Sequence, residues 1–78
     1  MIMSSHKNSP YYNPFCYLYE VYCNGEKVER CFEADEENGV CSFYKTDNDG
    51  KYIIINDELM TDKVYGKVSI RKKNNSFI

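Results

Sequence analysis

The sequence of this chain predicts an all-β fold, a five-stranded antiparallel meander that forms a small open barrel or a sandwich. Three observations carry the prediction. Runs rich in aromatic and β-branched residues recur along the 78 residues, turn signals separate them at intervals of about 8–12 residues, and no long stretch has helical periodicity. A chain of this length holds one small domain. We expect it over residues 15–73, after an extended N-terminal arm (1–14) and before a C-terminal tail (74–78).

The N-terminal arm, residues 1–14, shows neither helical nor strand periodicity, so we expect it to be irregular. It contains both prolines of the chain, and Pro14 pushes Asn13 towards an extended conformation. Tyrosine and phenylalanine are side chains that protein interfaces favour. We therefore expect Tyr11, Tyr12 and Phe15, at the end of the arm, to bind a protein partner that orders it.

The first two strands are predicted as a hairpin. The run FCYLYEVYC (15–23) leads into Asn24-Gly25 and a second run at 26–32. Asn-Gly between two such runs is a strong hairpin signal, because a type I′ turn needs positive φ at both central residues. The predicted pairs are Cys23 with Glu26, Val21 with Val28, Tyr19 with Arg30 and Tyr17 with Phe32. The face that carries Val21 is the expected core face.

Three further strands are predicted along the rest of the chain. An acidic connection (33–37), closed by Asn38-Gly39, leads to VCSFYKT (40–46); the turn DNDG (47–50) then leads to KYIIIN (51–56). Residues 57–62 are predicted as a loop. The fifth strand, KVYGKVSIRKK (63–73), alternates between apolar and polar side chains. Its inward residues are expected to be Val64, Val68 and Ile70, and its outward residues Lys63, Tyr65, Lys67, Ser69 and Arg71.

Four cysteines leave three interpretations open: packed thiols, one disulfide, or a zinc site. Their spacing, C-x6-C-x7-C-x9-C, lacks the closely spaced pairs of structural zinc sites. Cys16 and Cys31 can share one face of the hairpin, which would allow a disulfide in an oxidising compartment. The N-terminus lacks the apolar segment of a signal peptide, so we expect a reducing cytosol. We therefore predict thiols, with no metal and no cofactor.

The sequence predicts that the protein is not an enzyme. His6 is the one histidine and lies in the predicted arm, whereas catalysis needs groups that are held rigidly. The chain has no Gly-rich phosphate loop, and its longest purely apolar run, at 53–55, is far too short to span a bilayer. We expect a protein partner and no membrane association.

Two charged surfaces are further candidates for binding a partner. The fifth strand interleaves cations with an aromatic ring, at Lys63, Tyr65, Lys67 and Arg71. Such a strand suits an acidic protein or single-stranded nucleic acid, or it guards a sheet edge against aggregation. The acidic connection carries Glu33, Asp35, Glu36 and Glu37. Residues 1–39 have a net charge of −4 and residues 40–78 of +2; the total of −2 argues against nucleic acid as the partner.

Three motifs resemble a group of small β-proteins encoded by bacteriophages and prophages. They are VYCNGEKVERCFEADEENG, FYKTDNDGK and YGKVSIRK, which occur in this order within about residues 19–71. The resemblance supplies no catalytic or binding residues. It implies a phage origin, in the host cytoplasm or the virion.

The expected function is that of a non-enzymatic phage structural or accessory protein that acts through protein–protein contacts in an assembly, such as a virion component or decoration. One alternative is a soluble phage inhibitor that presents the acidic connection (33–37) to a host enzyme or defence complex. The other is a small protein that binds single-stranded nucleic acid through the fifth strand.

Overall fold

A computed structural model describes residues 1–73 of the chain and confirms the all-β prediction. The predicted tail (74–78) lies outside the described residues. A short 3₁₀ turn, Cys16–Leu18, precedes the second strand. The strands are β1 (Ile2–Ser4), β2 (Tyr19–Cys23), β3 (Glu26–Lys27), β4 (Cys31–Asp35), β5 (Val40–Tyr44), β6 (Ile54–Ile55), β7 (Glu58–Leu59), β8 (Thr61–Tyr65) and β9 (Val68–Lys72).

The strands form two antiparallel sheets and one separate hairpin. The first sheet has the order β1-β4-β5-β8, the second has the order β3-β2-β9, and β6 pairs with β7 alone. The two sheets do not close into a barrel. Both contribute to one core, in which the buried residues are Val21, Cys23, Ala34, Cys41 and Val68. None of the described residues forms a helix that is long and apolar enough to cross a membrane.

The Asn-Gly hairpin forms as predicted, but its second strand is shorter. Asn24 and Gly25 have φ values of 53° and 84°, and Cys23 pairs with Glu26. The amide of Val28 donates to the carbonyl of Val21 at 2.8 Å. Beyond Val28 the chain leaves the hairpin, because Arg30 adopts a left-handed conformation with φ of 57°.

Two predicted pairs of that hairpin are therefore wrong. Tyr19 pairs with Lys72 of β9 and not with Arg30. Tyr17 lies in the 3₁₀ turn, whereas Phe32 lies on β4 in the first sheet. The turn at Arg30 moves the chain from one sheet to the other, and so the second half of the predicted strand pairs elsewhere.

The N-terminal segment differs from the predicted free arm. Ile2–Ser4 form the edge strand β1, in which Met3 pairs with Ala34 of β4. Met3 and Ser4 are buried, and the Cys16 thiol donates to the Ser4 carbonyl at 3.2 Å. Three residues are too few to show strand periodicity, which is why the sequence pattern missed this strand. The irregular part of the segment begins after Ser4 and is held against the domain itself.

The predicted fifth strand is divided between the two sheets. β8 ends at Tyr65 in the first sheet, and β9 begins at Val68 in the second. Asn24 holds the break, because its backbone amide donates to the Lys67 carbonyl at 2.8 Å and its side-chain Oδ1 accepts from the Lys67 amide at 2.9 Å. The predicted inward side is correct. Val68 is buried, and Val64 and Ile70 pack against the core.

The predicted fourth strand (51–56) turns back on itself. Ile54 pairs with Leu59, and Ile55 pairs with Glu58. Asn56 and Asp57 have positive φ values of 54° and 66°, the conformation of a type I′ turn. The residues predicted as a loop (57–62) therefore supply β7 and the start of β8.

Candidate functional site

The hairpin β6–β7 exposes three large aliphatic side chains. Ile54 and Leu59 are cross-strand partners on one face, and Ile55, paired with Glu58, lies on the other. Ile54, Ile55 and Leu59 are 63%, 51% and 43% exposed, and we refer to these three residues as the hairpin tip. Single exposed apolar residues are common on protein surfaces, but three large ones within residues 54–59 favour an interaction surface. A separate two-stranded hairpin is at best marginally stable in water, so these side chains would gain from a partner that covers them.

The base of the hairpin is fixed to the first sheet by backbone hydrogen bonds. The Lys45 amide donates to the Met60 carbonyl at 2.9 Å, and the Ile53 amide donates to the Lys45 carbonyl at 3.3 Å. The Met60 amide donates to the Ile53 carbonyl at 2.8 Å. Lys45 directly follows β5. The hairpin tip therefore projects from a base that a central strand of the sheet holds in place.

A cleft of about 500 Å³ lies between β3 and the end of β5. Its apolar lining consists of Cys23, Val28, Phe43 and Val64, which are buried or half-buried. Its charged lining consists of the exposed residues Glu26, Lys27, Glu29, Arg30 and Lys45. The volume is within the range of sites that hold a drug-sized ligand. Because Lys45 belongs both to the cleft and to the base of the hairpin, the two features adjoin.

A row of aromatic rings connects the N-terminal segment with the hairpin. His6 stacks on Phe32 with ring centroids 4.5 Å apart, and Phe32 lies 4.6 Å from Tyr44. His6 Nε2 and the Tyr44 hydroxyl are hydrogen-bonded at 2.7 Å. Tyr52 meets Tyr44 edge-on at 5.8 Å, and the Arg30 guanidinium lies 5.8 Å from the Tyr52 centroid. The single histidine therefore has a structural role in this row, and the row fixes one side of the cleft.

The aromatic residues predicted to bind a partner at the end of the arm are exposed. Tyr11, Tyr12 and Phe15 all lie on the surface. Their backbone is held by the domain, because the Ser4 amide donates to the Tyr11 carbonyl at 3.0 Å and the Phe15 amide donates to Asn13 Oδ1 at 2.8 Å. The segment thus packs against β1 of its own domain, and the three rings remain accessible.

The predicted basic surface does not lie on one strand. Lys63 and Tyr65 belong to β8 in the first sheet, whereas Lys67 lies at the break and Arg71 belongs to β9 in the second. The Arg71 guanidinium lies 4.4 Å from the centroid of the Tyr22 ring, where it gains a cation–π contact. All four residues are exposed, but Arg71 is also engaged with a ring of its own sheet.

Two of the four predicted acidic contact residues have structural partners. Asp35 Oδ1 accepts hydrogen bonds from the amides of Glu37 and Asn38, both at 2.9 Å, and the bonds from Asn38 lower the pKa of Asp35. Glu36 Oε2 accepts from the Ile70 amide at 2.8 Å, and this bond lowers the pKa of Glu36. Glu33 is half-buried on β4, and only Glu37 is exposed. The predicted connection is therefore wrong for Glu33 and Asp35, which belong to strand β4. Glu36 and Glu37 lie in the turn between β4 and β5, and Glu36 ties that turn to β9.

The cysteines are free thiols, two of them buried and two half-buried. Burial, with the neighbouring thiols of Cys31 and Cys23, raises the pKa of Cys41 to about 12. The Cys31 thiol donates to the Glu33 carbonyl at 3.2 Å. Within residues 1–73 no group of three or more His, Cys, Asp or Glu side chains is arranged to hold a metal ion. In this structure the cysteines pack in and around the core.

The hairpin tip is the part of the candidate surface that the sequence analysis missed. The run Ile53-Ile54-Ile55 was predicted as a strand of the sheet, since consecutive β-branched residues are typical of buried strands. The signal that identifies the hairpin is Asn56-Asp57, two residues that tolerate positive φ, placed between apolar residues. Comparison with known proteins returns no match to a family model, to a curated protein or to a solved structure. The resemblance to phage-encoded proteins stays a prediction from the motifs.

Proposed function

We propose that the chain is a non-enzymatic phage structural or accessory protein, and that it works by binding another protein through the hairpin tip. The exposure of Ile54, Ile55 and Leu59 is the observation that carries this proposal. The phage assignment is supported by the three motifs of the sequence. The binding assignment is supported by the surface alone and does not depend on the phage assignment.

Burial of the hairpin tip would supply part of the binding energy of a specific contact. Complete burial of an Ile or Leu side chain stabilises by about 1.5–3 kcal/mol. Since the three side chains are about half exposed, covering them would contribute roughly 3 kcal/mol. These apolar side chains, close to the charged residues of the cleft, have the composition of an interface centre with a polar rim.

The inhibitor alternative has less support from the geometry. Two of its four carboxylates, those of Asp35 and Glu36, already accept hydrogen bonds from the chain itself. A mimic of nucleic-acid charge needs its carboxylates free to meet cations. The binder of single-stranded nucleic acid also has less support, because Arg71 is engaged with Tyr22.

Photo-crosslinking from the hairpin tip tests the proposal. A benzoylphenylalanine at position 54 is expected to form a covalent adduct with a protein in cells that express the chain in its own genetic context. The matched control carries the same group at position 72, where Lys72 is exposed on β9 of the second sheet. If position 54 gave no more protein adduct than position 72, the hairpin tip would not be the binding surface.

A further inference from the structure

We infer that the partner of the hairpin tip is a second copy of this chain, and that each copy inserts its hairpin tip into the cleft of the other. The inference rests on the proposed function, because it names the partner of the same surface. It is drawn from three properties of the surface: the position of the hairpin relative to the cleft, the lining of the cleft, and the distribution of charge.

The hairpin and the cleft adjoin in one molecule. Lys45 lines the cleft, and its backbone bonds to Ile53 and Met60 fix the base of the hairpin. Arg30, which also lines the cleft, lies 5.8 Å from the centroid of Tyr52. An isologous dimer needs one continuous surface that complements itself across a two-fold axis. A protruding group directly beside a cleft is such a surface.

The apolar lining of the cleft suits the aliphatic side chains of the hairpin tip. Its inner lining is apolar, with Val28, Phe43 and Val64 partly exposed towards the opening. Aliphatic side chains that enter it would meet carbon atoms on several sides, whereas in the single copy they are half exposed to water. Burial of apolar surface on both partners is the main favourable term in association. The cleft, at about 500 Å³, is large enough for the tip of a two-stranded hairpin.

Charge also favours this pairing. The hairpin carries two carboxylates, Asp57 at its turn and Glu58 on β7, both exposed. The cleft carries three cations and two carboxylates, and one carboxylate, Glu29, is 3.9 Å from Lys27. Arg30 faces the Tyr52 ring, and the exposed Lys45 is the cation that would meet Asp57 and Glu58 of the other copy. Complementary charge at the rim fixes the orientation of a complex.

Sedimentation velocity on the full chain, with native mass spectrometry, tests the inference first. We expect a monomer–dimer equilibrium without larger species. Ile54→Asp is expected to raise the dimer Kd about 100-fold, because it removes the burial of an aliphatic side chain and adds an uncompensated charge. Tyr17→Asp is the matched control, because Tyr17 is 65% exposed and lies in the 3₁₀ turn; its Kd should be unchanged. Circular dichroism verifies that both variants are folded.

Mixing two variants tests the reciprocal arrangement. Lys45→Glu is expected to weaken the dimer about 10-fold, through repulsion of Asp57 and Glu58. An equimolar mixture of Ile54→Asp and Lys45→Glu should form a heterodimer that is tighter than the Ile54→Asp homodimer. In that heterodimer one native hairpin meets one native cleft. A contact of hairpin with hairpin would also relieve the Ile54→Asp lesion in the mixture, but it would leave the Lys45→Glu homodimer unweakened. An unweakened Lys45→Glu homodimer, or an absence of recovery in the mixture, would overturn the inference.

The outcomes separate this inference from the proposed function. A chain that stays monomeric up to about 1 mM, the Kd of a weak contact, overturns the second copy as partner. Adducts from position 54 to a different protein would then leave the proposed function standing. Open polymers would overturn the closed dimer. If position 54 gives no adduct and the chain is monomeric, both fail.

Discussion

Replacing Gly39 with alanine is the sharpest test of how the two sheets are joined. Gly39 ends the acidic connection with φ of 66°, and its carbonyl accepts a hydrogen bond from the Gly66 amide at 3.0 Å. A Cβ atom at position 39 would lie far inside van der Waals contact with the Gly66 carbonyl oxygen. That oxygen belongs to the backbone at the break between β8 and β9, so it has little freedom to move away.

The expected loss of stability for Gly39→Ala has two parts. An alanine with positive φ costs about 1 kcal/mol, after the reduced entropy of the unfolded chain is allowed for. The close approach to Gly66 adds about 1–3 kcal/mol, the usual cost of forcing extra atoms into a packed site. A domain of this size has roughly 3–5 kcal/mol of stability in total. Gly39→Ala should therefore leave the chain close to its unfolding midpoint.

Gly50→Ala separates the two parts. Gly50 also has positive φ, 78°, but a Cβ there would meet no atom within 4 Å. Gly50→Ala should therefore lose only the roughly 1 kcal/mol that an alanine with positive φ costs. Urea unfolding followed by circular dichroism, at a slope of about 1 kcal/mol/M, should place the midpoint of Gly39→Ala about 1–3 M below that of Gly50→Ala. Equal midpoints for the two variants would show that the two glycines do not approach each other as described.

Three further predictions concern the junction, the acidic connection and the core. Asn24→Ala should lower the free energy of unfolding by about 2 kcal/mol, since the Lys67 amide loses its acceptor and alanine must adopt the positive φ of 53°. Asn24→Asp, which keeps an acceptor and tolerates positive φ, should lose less in the same urea titration. Asp35 and Glu36 have pKa values below those of the unfolded chain. Their stabilisation is therefore complete above about pH 4.5 and is lost as pH falls through the lower folded-state values. Urea midpoints measured between about pH 7 and about pH 2.5 should fall accordingly, and the fall should be smaller in Glu36→Gln. Cys41 is buried and has a pKa of about 12, so iodoacetamide at about pH 8 should alkylate it only as fast as the domain unfolds. Mass spectrometry locates the labelled cysteine, and rapid labelling of Cys41 would contradict its burial.

The sequence predicted the class of fold because local signals were strong. The Asn24-Gly25 turn and the alternation of Val68 and Ile70 are properties of short segments, and the structure confirms both. The assignment of strands to sheets could not be predicted from short segments of the sequence. β2 lies beside both β3 and β9, and that choice is made by packing between residues far apart in the chain.

The candidate site was less accessible to sequence analysis. Ile54 and Ile55 have the β-branched side chains of a core strand, and their exposure follows only from the turn at Asn56. The cleft joins residues of β3, β5 and β8, so no single motif describes it. Exposed positions such as Tyr11 and Tyr65 were correctly expected on the surface, because Tyr11 lies in the predicted arm and Tyr65 alternates with the inward Val64.

The pairing of β2 with β9 has a consequence for synthesis of the chain on the ribosome. Val21 pairs with Ile70, 49 residues later, and translation at about 5–20 residues per second separates their appearance by about 2–10 s. A hairpin forms in about 1–10 μs, so β2 and β3 can pair long before β9 has been translated. During that interval one edge of β2 is open. The nascent chain therefore exposes an unpaired strand edge for seconds, whereas its hairpins form in microseconds. Chaperones have those seconds to bind the open edge of β2.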